Sequence, residues 1–217
     1  MTARLSNSRT LLAALCLLPL AACKSTAPGS MAALDDESAW YIGTMPDKPH
    51  DVPLVDTSRL DPKYRRQEVA YAGPEAPGTI VVDIDKRQLA LVQEGGVRSS
   101  TGSASASSAS RGRGGARGPQ GVWPDWTPTT TMVSLNPDID RSRKGGVDNP
   151  LGARALYLYQ GSRDTLFRIH GTNEPWSIGE QMSSGCVRML NEDIVDLYER
   201  VPVGTRVLVK RGGKYRA

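Results

Sequence analysis

The stretch Ala155–Thr172, ALYLYQGSRDTLFRIHGT, contains two short apolar runs separated by a polar turn. The runs cover residues 155–159 and 166–169, and turn-forming glycine, serine and aspartate residues lie between them. Apolar runs of this length, bounded by turn formers, are typical of β-strands. We therefore expect two strands here, with His170 at the end of the second strand.

Further strands and one helix flank this stretch. Residues 79–83 and 89–93 predict a hairpin, and residues 205–209 predict a last strand. Asn191 is expected to be the N-cap of a helix, with acidic residues in its first turn and Pro202 as its stop. Because short strands outnumber helices, we expect a mostly β (α+β) fold with one or two helices and a partly closed sheet.

The amino-terminal residues predict export. Two arginines precede an apolar stretch at residues 11–20, which is too short to span a bilayer and is typical of a signal-peptide core. The following LAAC sequence resembles the lipobox of bacterial lipoproteins. We expect residues 1–22 to be a signal peptide and Cys23 to carry acyl chains that hold the protein in the cell envelope, facing the periplasm. Lys24 favours the outer membrane if the cell has one, and an ordinary cleaved signal is the alternative.

Residues 23–77 are rich in proline, glycine, serine and charged residues, which predicts a tether. The folded domain is expected over residues 78–210, followed by a basic tail at 211–217. A chain of 217 residues leaves room for one ordinary domain beside such a tether. The net charge of +4 suits an anionic surface such as wall polymer or lipid headgroups, and the plainer alternative is that it only maintains solubility.

Cysteine usage leaves one candidate nucleophile. Cys16 leaves with the signal peptide and Cys23 is expected to be lipidated, so Cys186 is an unpaired thiol. A thiol attacks a carbonyl as the thiolate and needs a nearby base, and His170 is the one histidine of the predicted domain. The sequence groups no set of three or four metal ligands there, which argues against a zinc site, and no cofactor is expected. A small buried structural cysteine is the alternative.

The block His170-Gly171-Thr172, followed by SSGCVRM at residues 183–189, resembles the signature of the L,D-transpeptidase catalytic domain (YkuD-like) family. WPDWTP at 123–128 and NPLGARAL at 149–156 add to a resemblance that covers about residues 78–210. It implies a β-sandwich or partly closed barrel and an enzyme that remodels peptidoglycan stem peptides. In such an enzyme a cysteine takes the acyl group of a tetrapeptide stem as a thioester and releases D-alanine. The acyl group then passes to an amine on a second stem, to a wall-anchored protein, or to water.

Carried over to this chain, the resemblance implies Cys186 as the nucleophile and His170 as the base. Gly171 offers a carbonyl that orients the imidazole, and Arg188 organises the site or holds a substrate carboxylate. The amides of Gly185 and Cys186 would form the oxyanion hole. The candidates for substrate contact are Thr172, Asn173, Trp176, Ser183, Ser184 and Gly185.

Two features depart from the family pattern. Ser184 stands where many members carry histidine, which we expect to leave the mechanism intact. Residues 97–121 contain a Ser/Ala run and an Arg/Gly run where the family usually has apolar strand sequence, and compensating frameshifts are one hypothesis for their origin. Because this stretch lacks an apolar face, we expect an irregular low-complexity loop and not a core strand. Its Arg/Gly half resembles an RNA-binding tract, but an exported protein seldom meets RNA, so no nucleic-acid partner is expected.

Two other functions stay open on the sequence. A sortase-like transpeptidase also uses His, then Cys, then Arg on a β-rich fold, although the short interval from His170 to Cys186 favours the first family. The other alternative is a catalytically impaired, lipid-anchored wall-binding protein. Loss of core strands at residues 97–121 would favour it, because the apolar area lost would impair folding.

Overall fold

The hairpin that ends at His170 lies at the centre of a long β-sheet. The computed structural model describes residues 36–106, 114–116, 121–182, 186–212 and 214–215, all within one unit, Asp35–Ala217. In chain order the strands are β1 Tyr41–Met45, β2 Val52–Val55, β3 Gln67–Ala70, β4 Ile80–Asp83, β5 Gln88–Val92, β6 Val97–Gly102, β7 Ala104–Ala106, β8 Gly114–Ala116, β9 Gly121–Val122, β10 Arg154–Gln160, β11 Arg163–His170, β12 Gln181–Met182, β13 Val187–Arg188, β14 Thr205–Arg211 and β15 Lys214–Tyr215. The α-helices are α1 Thr130–Leu135 and α2 Asn191–Arg200, and single 3-10 turns cover Glu37–Trp40, Thr57–Arg59, Pro62–Tyr64, Glu94–Gly96 and Pro175–Ser177.

Thirteen of the described strands form one mixed sheet. Its order is β12-β7-β13-β11-β10-β8-β14-β4-β5-β6-β3, with β9 beside β10 and β15 beside β14, while β1 and β2 pair separately. Within the described residues the sheet runs from one edge strand to the other without closing on itself. The expected mostly β fold with two helices is therefore confirmed, and the described strands form an open sheet.

The core is formed by one face of the central strands and one side of α2. Ile80, Leu156 and Ile169 from the strands and Ile194 from the helix are completely buried. Burying an aliphatic side chain of this size contributes about 1.5–3 kcal/mol, so this layer supplies much of the stability. The strands predicted from the sequence and the helix are confirmed, with ends that differ by up to three residues.

Residues 36–77 pack on the domain, so the predicted tether is wrong from Asp36 onward. Val52 is buried against the domain, and Leu60 and Tyr64 lie in a cluster with Ile178. The aspartates that gave the segment its linker-like composition accept hydrogen bonds at the start of 3-10 turns, as Asp56 does from the Ser58 amide. Residues 1–35, and with them the signal peptide and Cys23, lie outside the described residues. None of the described helices is both long and apolar enough to span a bilayer.

Two further expectations are corrected at the sheet. Within the stretch expected to be irregular, β6 pairs with both β5 and β3, and β8 lies between β10 and β14. The polar residue Thr101 of β6 is buried because its hydroxyl donates a hydrogen bond to Asp193 of α2. Residues 107–113 and 117–120 lie outside the described residues. In the expected basic tail, Lys214–Tyr215 pairs with the end of β14 as a short hairpin.

Candidate active site

Two neighbouring parallel strands bring the predicted catalytic residues together. His170 ends β11 and is paired with Arg188 of β13, while Ile169 is paired with Val187. Because successive side chains on a strand point to opposite faces, Ile169 and Val187 face the core, and His170 and Arg188 share the other face. Cys186, two residues before Arg188, lines the same cleft as both of them. Strand spacing and rise put the Cα atoms of His170 and Cys186 about 8 Å apart, which an imidazole and a thiol can bridge.

The His170 imidazole is held by its own loop. His170 is 4% exposed, and the Nδ1 atom of its ring lies 2.6 Å from the Gly171 carbonyl oxygen. A carbonyl only accepts, so Nδ1 carries the proton in this hydrogen bond, and in the neutral ring Nε2 keeps its lone pair. Burial, together with the positive charge of Arg188, lowers the pKa of His170 from 6.5 to about 4. The imidazole is therefore neutral and available as a base near neutral pH.

Cys186 is a partly buried free thiol. Burial raises the pKa of Cys186 above its usual value, while a hydrogen bond with the Arg168 main chain and the charges of Arg168 and Arg188 act in the opposite direction. Near neutral pH the resting pair is therefore a thiol beside a neutral imidazole. If the thiol acts as a nucleophile, a proton has to pass from the thiol to a base during the attack.

The cleft that exposes this pair has a volume of about 480 Å³. Its remaining walls are Asp125, Trp126, Thr127, Pro128, Thr129, Thr130, Met132, Pro150, Leu151, Tyr157, Leu166 and Arg168. Asn149, which is 1% exposed, holds the wall together by donating to the carbonyl oxygens of Pro124, Arg143 and Lys144 at 2.9–3.1 Å. A cleft of this size accommodates a short extended peptide, since ligand pockets typically measure about 300–1,000 Å³.

Asn191 fixes the loop that carries the histidine. Its Oδ1 accepts from the amides of Ala153 at 2.9 Å and Thr172 at 3.2 Å, and its Nδ2 donates to the Thr172 carbonyl at 2.8 Å. A Cβ on Gly171 would lie 2.1 Å from Asn191 Oδ1, so glycine is required for this close approach. The prediction that Asn191 is the N-cap of α2 is wrong: Leu190 is the N-cap, and the Asn191 side chain binds the histidine loop instead.

Arg188 forms an ion pair with Glu174 at 2.5 Å. Glu174 belongs to the loop after the histidine, so the pair connects this loop to β13. This contact is what an organising role for Arg188 requires. The binding of a substrate carboxylate by Arg188 stays a prediction.

Arg168 is a cleft residue that the sequence analysis missed. Its guanidinium binds both oxygens of Asp164 at 2.8 Å and lies 4.2 Å from the centre of the Tyr157 ring. The two-residue period of a β-strand could have identified Arg168, because a residue two positions before His170 lies on the same face of the sheet.

Three predicted substrate contacts lie away from the described lining of the cleft. Thr172 is buried, and its hydroxyl accepts from the Glu174 amide. Asn173 donates to the Asp148 carbonyl, and the Trp176 ring packs edge-on against Trp40. The other predicted contacts, Ser183, Ser184 and Gly185, lie outside the described residues.

Comparisons with known proteins assign the chain to a family. Residues 77–209, more than half of the chain, match the YkuD family, described as the L,D-transpeptidase catalytic domain. The probable L,D-transpeptidase YbiS of Escherichia coli strain K12 is 46% identical over 88 residues, which cover 39% of this chain and 27% of that protein. The putative L,D-transpeptidase YqjB of Bacillus subtilis strain 168 is 47% identical over 66 residues, which cover 30% of this chain and 38% of that protein. The matched stretches thus span well under half the length of these two relatives.

A crystal structure of a Brucella melitensis protein, described as a probable carnitine operon oxidoreductase, is 42% identical and has a TM-score of 0.47. The similarity covers 71% of this chain and 99% of that one. The family match over residues 77–209 decides the classification. This chain belongs to the L,D-transpeptidase catalytic domain family.

Proposed function

We propose that this protein is a peptidoglycan L,D-transpeptidase in which Cys186 is acylated by a tetrapeptide stem. One observation carries the proposal: Cys186, His170 and Arg188 line one cleft, and His170 Nδ1–H donates a hydrogen bond to the Gly171 carbonyl. Because Nδ1 carries the proton in this hydrogen bond, Nε2 is the basic nitrogen of the neutral ring. A thiol directly before β13 and a neutral imidazole at the end of the neighbouring β11 are the elements of cysteine acyl transfer.

The first half-reaction transfers the acyl group to sulfur. His170 Nε2 takes the thiol proton as Cys186 Sγ attacks the carbonyl carbon of the bond before the terminal D-alanine. The tetrahedral intermediate collapses, the C–N bond breaks, and the imidazolium returns the proton to the leaving amine. D-alanine departs and a thioester forms. The proposed oxyanion hole comprises the amides of Gly185 and Cys186, and one such donor is typically worth about 3–4 kcal/mol in the transition state.

The second half-reaction transfers the acyl group to an acceptor amine. The amine attacks the thioester carbon and gives its proton to His170, and the C–S bond breaks. The departing thiolate then recovers the proton from the imidazolium. The acceptor is an amine on a second stem or on a wall-anchored protein, and water in its place makes the reaction an L,D-carboxypeptidase side activity.

The proposal includes attachment to the cell envelope through Cys23. Acyl chains on this residue would hold the catalytic domain at the periplasmic side of a membrane, with the outer membrane favoured by Lys24. The test is fractionation of cells that express the full chain. The wild-type protein is expected with the membranes and Cys23→Ala in the soluble fraction or as unprocessed precursor, whereas unchanged membrane attachment of mature Cys23→Ala would contradict it.

Intact-mass spectrometry with a disaccharide-tetrapeptide tests the chemistry. The wild-type protein is expected to gain the mass of the acyl group and release D-alanine, and Cys186→Ala should gain nothing. His170→Ala should slow the reaction by about 10²–10⁴-fold, as expected for loss of a general base. His50→Ala is the matched control, because the His50 ring packs edge-on against Trp123 at 5.3 Å and does not line the described cleft.

Other outcomes would identify the alternative functions. Acylation by a sorting-signal peptide in place of the stem would indicate a sortase-like enzyme. Binding to peptidoglycan by a folded wild-type protein that never acquires an adduct would indicate a wall-binding protein. The pairing of β6 with two neighbouring strands weakens the case for that last alternative, which depended on the loss of core strands.

A further inference from the structure

A second cavity, which we call the aromatic groove, lies between the 3-10 turns of the amino-terminal segment and the loop that follows His170. It measures about 330 Å³, and its principal lining residues are Trp40, Arg59, Lys63, Tyr64, Arg87 and Trp176. It shares none of its lining residues with the active-site cleft. Trp176, predicted from the sequence as a substrate contact, lies in this groove instead.

The walls of the groove present aromatic surface. The Trp40 and Trp176 rings are half-buried and meet edge-to-face, with centroids 6.3 Å apart and planes inclined by 61°. Tyr64 is buried beside them. Half-buried indoles combine an apolar body with a polar N–H group, and such rings pack well against the C–H faces of pyranose sugars.

The rim of the groove contains charged groups of both signs. The Arg59 guanidinium lies 5.7 Å from the centre of the Trp40 ring, Lys63 pairs with Asp61 at 2.6 Å, and Arg87 donates to the Gly179 carbonyl at 2.7 Å. Glu180 adds a second carboxylate. This mixture suits hydroxyl and acetamido groups, which both donate and accept hydrogen bonds, better than it suits a polyanion.

We propose that the aromatic groove binds the amino-sugar chain that carries the stem peptide; this rests on the proposed function of the neighbouring cleft. The two sites are connected by one short loop, in which Glu174 binds Arg188 of the catalytic strand and Trp176 lines the groove. A volume near the lower end of the usual range for ligand pockets fits one or two sugar rings. The peptide would lie in the cleft and its sugars in the groove.

Binding of peptide-free glycan chains, prepared from sacculi with an amidase, tests the proposal by tryptophan fluorescence and calorimetry on the full-length protein. Trp176→Ala and Arg59→Ala are each expected to weaken glycan binding about tenfold, a change of about 1.4 kcal/mol. Tyr159→Ala is the matched aromatic control, because Tyr159 lines neither described cavity. Arg59 is exposed, so its variant tests the groove without disturbing buried packing.

A comparison of KM values for two substrates distinguishes glycan binding by Trp176 from a purely structural role of this residue. In Trp176→Ala the KM for a disaccharide-tetrapeptide should rise about tenfold, while the KM for the free tetrapeptide should change less than twofold. The proposal is overturned if the wild-type protein does not bind the glycan, if the groove variants bind it as well as Tyr159→Ala does, or if both KM values rise together. Glycan binding by a wild-type protein that never releases D-alanine would instead contradict the proposed function alone.

Discussion

Replacing Asn191 by alanine should destabilise the protein far more than an ordinary asparagine substitution does. The side chain is 4% exposed and satisfies three main-chain groups, the amides of Ala153 and Thr172 and the carbonyl of Thr172. A buried polar group left without its partner costs about 1–3 kcal/mol. At about 1–3 kcal/mol each, the three losses together predict a decrease of about 3–9 kcal/mol in the free energy of unfolding, out of a typical total of about 5–15 kcal/mol.

The measurement is urea unfolding followed by tryptophan fluorescence, combined with the rate at which a carbapenem forms an adduct at Cys186. Asn191→Asp keeps an acceptor for both amides and loses the donor to the Thr172 carbonyl, so it should fall between wild type and Asn191→Ala in stability. Asn136→Ala is the matched control at an exposed position and should cost less than about 1 kcal/mol. The adduct rate should follow the same order, because the histidine loop is what Asn191 holds.

A decrease in Asn191→Ala no larger than that of Asn136→Ala would refute this reasoning. So would a large loss of stability with an unchanged adduct rate, because the loop would then hold the histidine without the asparagine. The loss cannot be assigned to helix capping, since the N-cap of α2 is Leu190 and makes no side-chain cap.

Three further predictions concern pH and strain. Because the pKa of His170 is lowered from 6.5 to about 4 in the folded protein, the unfolded chain binds a proton at this residue at a higher pH than the folded protein does. The free energy of unfolding should therefore decrease by about 3 kcal/mol as pH falls from about 6.5 to 4. Urea unfolding of His170→Gln should not show that decrease. Burial raises the pKa of Glu192 from 4.5 to about 7, so its contribution to the free energy of unfolding is present below pH 4.5 and should be lost as pH rises to 7. Glu192→Gln should remove this decrease of stability with rising pH. An unchanged dependence of stability on pH in Glu192→Gln would contradict the prediction. Leu166 lines the cleft, is 75% exposed and adopts a φ of +61°, a left-handed conformation that strains a leucine but not a glycine. Leu166→Gly should therefore raise stability by up to about 1 kcal/mol, measured by calorimetry, while slowing acylation. A lower stability of the variant would count against the inference of strain.

The sequence was sufficient to predict the hairpin and the candidate residues that line the cleft, but not the residues that support them. The apolar runs and turn formers predict the strand that ends at His170, and a nucleophilic role for Cys186 would require a base nearby. Asn191 carried a helix-start signal, and local capping competes with long-range hydrogen bonds for the same side chain. The fold brings the main chain of Ala153 and Thr172 up to Asn191. The side chain therefore binds this loop and does not cap the helix, and local sequence does not reveal that contact.

Composition was misleading where polar residues are buried with partners. Residues 36–77 look like a linker because they are rich in aspartate and proline. A few well-spaced apolar residues such as Val52 and Leu60 are nevertheless enough to dock the segment. In β6 the absence of an apolar face predicted a loop. The strand forms because its neighbours satisfy its main chain on both sides and Asp193 satisfies the Thr101 hydroxyl.

The positive charges of Arg168 and Arg188 favour the charged form of one group in the proposed acyl transfer and disfavour the charged form of the other. Their positive charges lower the pKa of Cys186, which favours the thiolate, and also lower the pKa of His170, which disfavours the imidazolium. Asp164 and Glu174 bind these arginines and partly offset their charge. A resting thiolate–imidazolium pair is therefore not what this site stabilises. It stabilises a neutral pair. In the proposed reaction the negative charge would therefore develop on the substrate oxygen, where hydrogen-bond donors oriented in advance are most effective.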